Sequence, residues 1–152
     1  MTNALKTAFD SVIAPMLRRP RRIQVAALCT REKMGATEVL LITSRDTGRW
    51  VLPKGWPING LDAPGAALRE AWEEAGVKEA NINSEPVGIY GYAKRLDGGL
   101  EVPVDVTVFE TEVKQLVDDF PEAEERTRKW VPAQEAAGMV NEPQLQAILR
   151  EM

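Results

Sequence analysis

Histidine is absent from the 152 residues, and cysteine occurs once, at Cys29. Without histidine there is no imidazole-held zinc and no His-based nucleophilic triad, which leaves carboxylates as the available general bases. A lone cysteine excludes an intramolecular disulfide and fits a reducing compartment, so the expected location is the cytoplasm. Long apolar runs are missing too, so no membrane span is expected. The chain also lacks a basic excess. Its net charge of -4 argues against a protein devoted to nucleic acid, although it leaves room for a local basic groove. Repeats and low-complexity segments are absent, and the length suits one domain with a sizeable core.

What is present centres on Leu52-Pro-Lys-Gly-Trp-Pro-Ile-Asn-Gly60 and the following Leu61 to Val77. A Gly/Pro-rich loop runs into a helix capped by Asp62, with Pro64 in the first turn and Gly76 as the stop. On a helical wheel Leu68, Ala71, Trp72 and Ala75 form the expected core stripe. Glu70, Glu73 and Glu74 crowd one arc, with Arg69 four residues before Glu73 and able to brace it. Like charges at this spacing destabilise a helix, and acids in its last turn oppose the macrodipole. A hard divalent cation would reverse both penalties. The plainer alternative is a solvated acidic face.

Gly55 followed by Arg69-Glu70-Ala71-Trp72-Glu73-Glu74-Ala75-Gly76-Val77 closely resembles the Nudix box, G-x5-E-x7-R-E-U-x-E-E-x-G-U with U apolar. Gly55, Arg69, Glu70, Glu73, Glu74, Gly76 and Val77 match. Leu61 departs from it, standing where the pattern has its first Glu. The resemblance implies an α/β fold, an α/β/α sandwich in which the box helix packs on a mixed curved sheet. It further implies magnesium, or manganese, held by Glu70, Glu73, Glu74 and the Gly55 carbonyl. Glu70, Glu73 and Arg69 are then the catalytic set. One acid of the late loop, Glu122, Glu124 or Glu125, would complete the site or act as base.

Trp50-Val-Leu-Pro-Lys54 with Gly55 is similar to the diphosphoinositol-polyphosphate and diadenosine-polyphosphate branch of that family. By that resemblance Arg22, Ser44, Arg45 and Lys54 contact substrate phosphates. Trp56 either stacks on a base or closes the loop. The implied activity is hydrolysis of a pyrophosphate linkage in a small phosphorylated substrate by a monomer or homodimer. A catalytically weak nucleotide sensor and an RNA 5′-pyrophosphohydrolase are the rival readings.

Along the rest of the chain, residues 1–20 read as an amphipathic extension and 21–152 as the domain. Arg18, Arg19, Arg21 and Arg22 surround Pro20, as a phosphate-binding cluster or a solvated linker. Strands are expected from Ile23 to Cys29, Val39 to Thr43, Trp50 to Leu52, Pro86 to Tyr92 and Val102 towards Val113, with a turn at Asp97-Gly98. Lys78 to Glu85 reads as a polar connection and Asp118 to Arg128 as a charged loop. Trp130-Val-Pro resembles the family's closing strand, and short helices are expected over Pro132 to Met139 and Pro143 to Arg150.

Overall fold

The computed structural model describes residues 21–152, so the expected N-terminal extension, with Arg18 and Arg19, lies outside the described residues. Among the described residues, eight strands form one mixed sheet. They are β1 (Arg22–Lys33), β2 (Ala36–Thr43), β3 (Trp50–Val51), β4 (Lys54–Gly55), β5 (Val77–Ile82), β6 (Gly88–Arg95), β7 (Glu101–Leu116) and β8 (Arg128–Pro132). The main path runs β3-β2-β1-β7-β5, with β4 on β1, β6 on β7 and β8 on β2. Only β1 and β7 run parallel; the other pairings are antiparallel.

Period-two alternation along β1 divides the core into two layers. Val25, Ala27 and Cys29 face helix α1 (Ala63–Ala75), together with Leu40, Ile42 and Phe109. Ala26 and Leu28 face the opposite way, with Val39, Leu41, Val104, Val106 and Val108. That second layer is closed by α2 (Ala133–Ala137) and α3 (Pro143–Arg150), through Ala136, Leu145 and Leu149. Helices therefore cover both faces, as an α/β/α sandwich requires.

Three expectations change. Lys78 to Glu85 is not a plain connection: Val77–Ile82 pairs with the last third of β7, and Val77, Ala80 and Ile82 turn towards α1. Its Lys-Glu-Ala-Asn centre hid an edge strand, where charged side chains are at home. Lys54–Gly55 adds a two-residue strand against Val25 and Ala26, within the stretch expected to be loop throughout. The buried face of α1 is Ala66, Ala67, Ala71 and Ala75 with Glu74, whereas Leu68 and Trp72 sit half-buried on its flanks. Small side chains let the helix axis lie close to the sheet.

Candidate active site

Helix α1 begins as its sequence predicts. The Asp62 carboxylate accepts from the Gly65 amide at 2.8 Å, with proline in the first turn. It ends at Gly76, at φ 74°, whose amide donates back to Trp72. A side chain there would collide with the Val117 carbonyl and Phe120, so glycine answers both conformation and space. The last turn carries acids and no base. Arg128 of β8 compensates from outside, its Nη1 donating to the Ala75 carbonyl at 2.9 Å and to the Val117 carbonyl at 2.8 Å.

Between those ends the helix turns Glu70 and Glu74 towards β4. The Glu70 carboxyl lies directly against Gly55, where even a methyl group would overlap it. The Lys54 amide points at Glu74 Oε1 at 3.4 Å. Glu74 is buried. Burial, reinforced by the neighbouring Glu70 carboxyl, pushes its carboxyl up to about 8, against the opposing pull of Arg126. Burial likewise raises Glu70. Of the three box acids the structure thus brings two together. Glu73 stays on the flank, and no three Asp, Glu or Cys side chains among the described residues converge into a ready-made cation cage. Arg69 is exposed and forms no ion pair among the described residues, so the brace expected for Glu73 is not made.

The cation that does engage the acids is Arg126, only 8% exposed. Its Nη2 lies 3.4 Å from Glu74 Oε1 and 3.0 Å from Glu122 Oε1, and its Nη1 donates to the Thr43 carbonyl at 2.9 Å. The Glu122 amide also donates to the Glu73 carbonyl at 3.0 Å, tying the late loop to the helix. Of the three late-loop acids, Glu122 therefore reaches the box. Glu124 and Glu125 are exposed, and Glu125 approaches only Arg45, at 3.7 Å.

The expected phosphate contacts separate. Arg45, 56% exposed, lies at the rim of the box, 3.4 Å from Glu122. The Ser44 hydroxyl is taken up by a turn, 2.6 Å from the Thr47 hydroxyl, with the Ser44 amide donating to the Arg49 carbonyl. Arg22 aligns with Val104 and Tyr92 across the sheet, so it shares a face with Tyr92 and Gln24. Lys54 reaches the same region, its Nζ 5.1 Å from the Tyr92 ring centre. Burial pulls its ammonium down to about 8. Lys94, aligned with Val102, sits 6.0 Å from the Trp56 ring. Nearby, Arg49 bonds to Glu142 at 2.6 Å, and the Tyr92 hydroxyl donates to Gln24 at 2.6 Å.

Arg49, Gln24, Tyr92, Lys94, Arg126 and Glu142 carried no signal as functional residues in the sequence. They come from separate segments with no shared spacing, and strand register alone brings Gln24, Tyr92 and Lys94 to one region. Cys29, buried and raised to about 12 by that burial, is an inert core residue. No helix among the described residues is long and apolar enough to cross a membrane.

Comparison with known proteins bears on the fold and the family. The family profile described as NUDIX domain matches residues 20–152. The chain is 31% identical over 123 residues to Nudix hydrolase 13, mitochondrial, of Arabidopsis thaliana, covering 75% of this chain and 58% of that protein. It is also 31% identical over 119 residues to diphosphoinositol polyphosphate phosphohydrolase 3-alpha of Mus musculus, covering 74% and 65%. The chain spans between 50% and 65% of the length of relatives of this kind. Among solved structures, the Ap4A hydrolase of C. elegans superposes with a TM-score of 0.65 at 22% identity, covering 87% of this chain and 96% of that one. At that identity the likeness speaks for the fold.

Proposed function

The chain belongs to the Nudix family, and from that premise we propose that it hydrolyses a pyrophosphate linkage in a small phosphorylated substrate with the help of a divalent cation. The substrate class is a dinucleoside polyphosphate or a diphosphoinositol polyphosphate. The observation that carries the reading is the Glu70 carboxyl pressed against Gly55 with the buried Glu74 carboxyl beside it at the Lys54 amide, both raised by burial.

The donor set suits magnesium. Two neighbouring carboxyls whose ionisation burial opposes are a pair that a hard cation can take over, displacing protons as it binds. Magnesium keeps several waters and needs no protein cage, which accords with a site of few protein ligands. Glu70, Glu74 and the Gly55 carbonyl would hold it, with Glu73 at the flank. Once bound, it would neutralise phosphate charge and acidify water.

The residues of the chain do the rest. Arg45 and Lys54 draw the anionic substrate to the box from its two sides. The buried Arg126 holds Glu122 and Glu74 in one orientation. Water attacks phosphorus in line; its oxygen forms the new P–O bond as the anhydride P–O bond breaks. The proton passes to a carboxylate of the cluster, which contains Glu70 and Glu122, and the two halves leave as phosphorylated products. The direct test is phosphate or product release from a panel of dinucleoside polyphosphates, diphosphoinositol polyphosphates, ADP-ribose and NADH with magnesium. Turnover of none of them removes the proposal.

Two substitutions probe its edges. Leu61, in place of the pattern's first Glu, is 40% exposed in the loop before α1. Leu61→Glu should change kcat by no more than about threefold, within about 0.7 kcal/mol of barrier. A gain of several orders of magnitude would show that position to be part of the machinery. Arg45→Glu should raise KM about tenfold for highly phosphorylated substrates, more than for ADP-ribose, because an exposed cation acts through charge. Equal effects on both would remove Arg45 from phosphate recognition.

A further inference from the structure

Glu142 occupies the N-cap position of α3 yet caps nothing. Its Oε1 accepts from Arg49 Nη1 at 2.6 Å, while Oε2 is buried with no hydrogen-bond partner among the described residues. The side chain is 8% exposed. An acceptor shut away without a donor is costly, and such atoms in folded proteins ordinarily serve a water, an ion or a ligand. Arg49 pairs through one nitrogen only, so the fork is half used.

The surroundings say which ligand. Arg49 ties Glu142 to the segment before β3, Gln144 two residues on accepts from the Gly91 amide at 2.7 Å beside Tyr92, and Lys54 spans from the Tyr92 ring to Glu74 of the box. Lys54 forms no ion pair among the described residues; its ammonium is left to the Tyr92 ring. The Lys54 end of this cluster favours phosphate oxygen. At the Glu142 end it favours an N–H or O–H donor, and a phosphate there would meet a carboxylate. The partly exposed Trp56 and Tyr92 add flat apolar faces.

We infer that Glu142 is a specificity-determining residue that accepts a hydrogen bond from the sugar hydroxyl or base amine of a nucleoside, whose phosphates run past Lys54 to the box. The same carboxylate turns away polyphosphorylated polyols. This rests on the proposed hydrolytic site and narrows its substrate to nucleoside polyphosphates. Entry requires the Arg49 side chain, 30% exposed, to swing aside and free the carboxylate.

The experiment compares the full-length wild type with Glu142→Gln and Glu142→Lys, after thermal melts confirm that each folds. Steady-state kinetics use diadenosine tetraphosphate and a diphosphoinositol polyphosphate, and AMP binding is followed by NMR without turnover. Glu142→Gln is expected to raise KM for diadenosine tetraphosphate about tenfold, with a smaller effect on kcat, and to weaken AMP to the same degree. Glu142→Lys is expected to shift the preference towards the inositol substrate. If KM and AMP affinity stay within twofold in Glu142→Gln, Oε2 serves only a buried water and the inference fails. A wild type that hydrolyses nothing but binds AMP through Glu142 would defeat the hydrolase reading and leave this one standing. If Glu142→Gln itself unfolds, AMP binding to Arg49→Lys decides. That variant keeps the charge but loosens the geometry, and affinity within twofold of wild type overturns the inference.

Discussion

Glu74→Gln should lower turnover about a thousandfold, which is about 4 kcal/mol of barrier, and at the same time stabilise the cation-free protein at pH 8. Both effects come from one group. The carboxyl rises from 4.5 unfolded to about 8 folded, chiefly because it is buried. A folded-state pKa raised in this way leaves stability intact below pH 4.5 and erodes it as pH climbs through about 8. Above that the folded chain must hold a buried carboxylate beside Glu70. Glutamine cannot ionise, and its amide oxygen can still accept from the Lys54 amide. The gain at pH 8 should be about 1–2 kcal/mol after allowing for relaxation and for the weakened Arg126 contact. Denaturant melts at pH 6 and pH 8, with and without magnesium, alongside turnover, check both halves. Magnesium should stabilise the wild type most at pH 8 and the variant hardly at all. Turnover within tenfold of wild type, or a variant less stable than wild type at pH 8, would dismiss Glu74 as the strained ligand.

That strain is legible in the sequence because the chemistry imposes a spacing. Acids at i and i+4 near a helix C-terminus are poor for an isolated helix, so their presence calls for a counter-charge on local grounds alone. The caps at Asp62 and Gly76 are legible for the same reason: each answers a local backbone need. What the sequence conceals depends on distant pairing. The edge strand Val77–Ile82 has a polar centre and is recognisable only beside β7. Hydrophobicity assigns Leu68 and Trp72 to the core, but closeness to the sheet selects the four alanines. Arg128 and Arg126 lie in one charged run, yet one serves the end of α1 and the other its acids. Nothing in the order of charges distinguishes them. The cluster of Gln24, Arg49, Lys54, Tyr92 and Glu142 is assembled by register and by the approach of the α3 entrance to β3, neither of which has a local sequence signature.

Arg126→Met is the second large effect, and its size depends on how protons redistribute. Removing one member of a buried ion pair ordinarily costs about 3–5 kcal/mol, because the partner charge is stranded. Here Glu74 has an escape. With its carboxyl already at about 8, it can keep a proton at neutral pH, and losing the opposing pull of Arg126 moves it further up. The cost at pH 6 should therefore fall to about 2 kcal/mol, most of it from the hydrogen bonds to Glu122 and the Thr43 carbonyl. At pH 8, where the wild-type carboxyl is about half ionised with Arg126 beside it, the penalty should grow towards the usual range for a stranded charge. Magnesium should recover part of that difference at pH 8 and little at pH 6, since a cation at Glu70 and Glu74 takes over the missing charge but cannot restore the tether to β2. Denaturant melts of wild type and variant at the two pH values measure this directly. An equal loss at both, indifferent to magnesium, would mean that Arg126 serves only as a structural tie between β2 and the late loop, with no electrostatic part in holding the box acids.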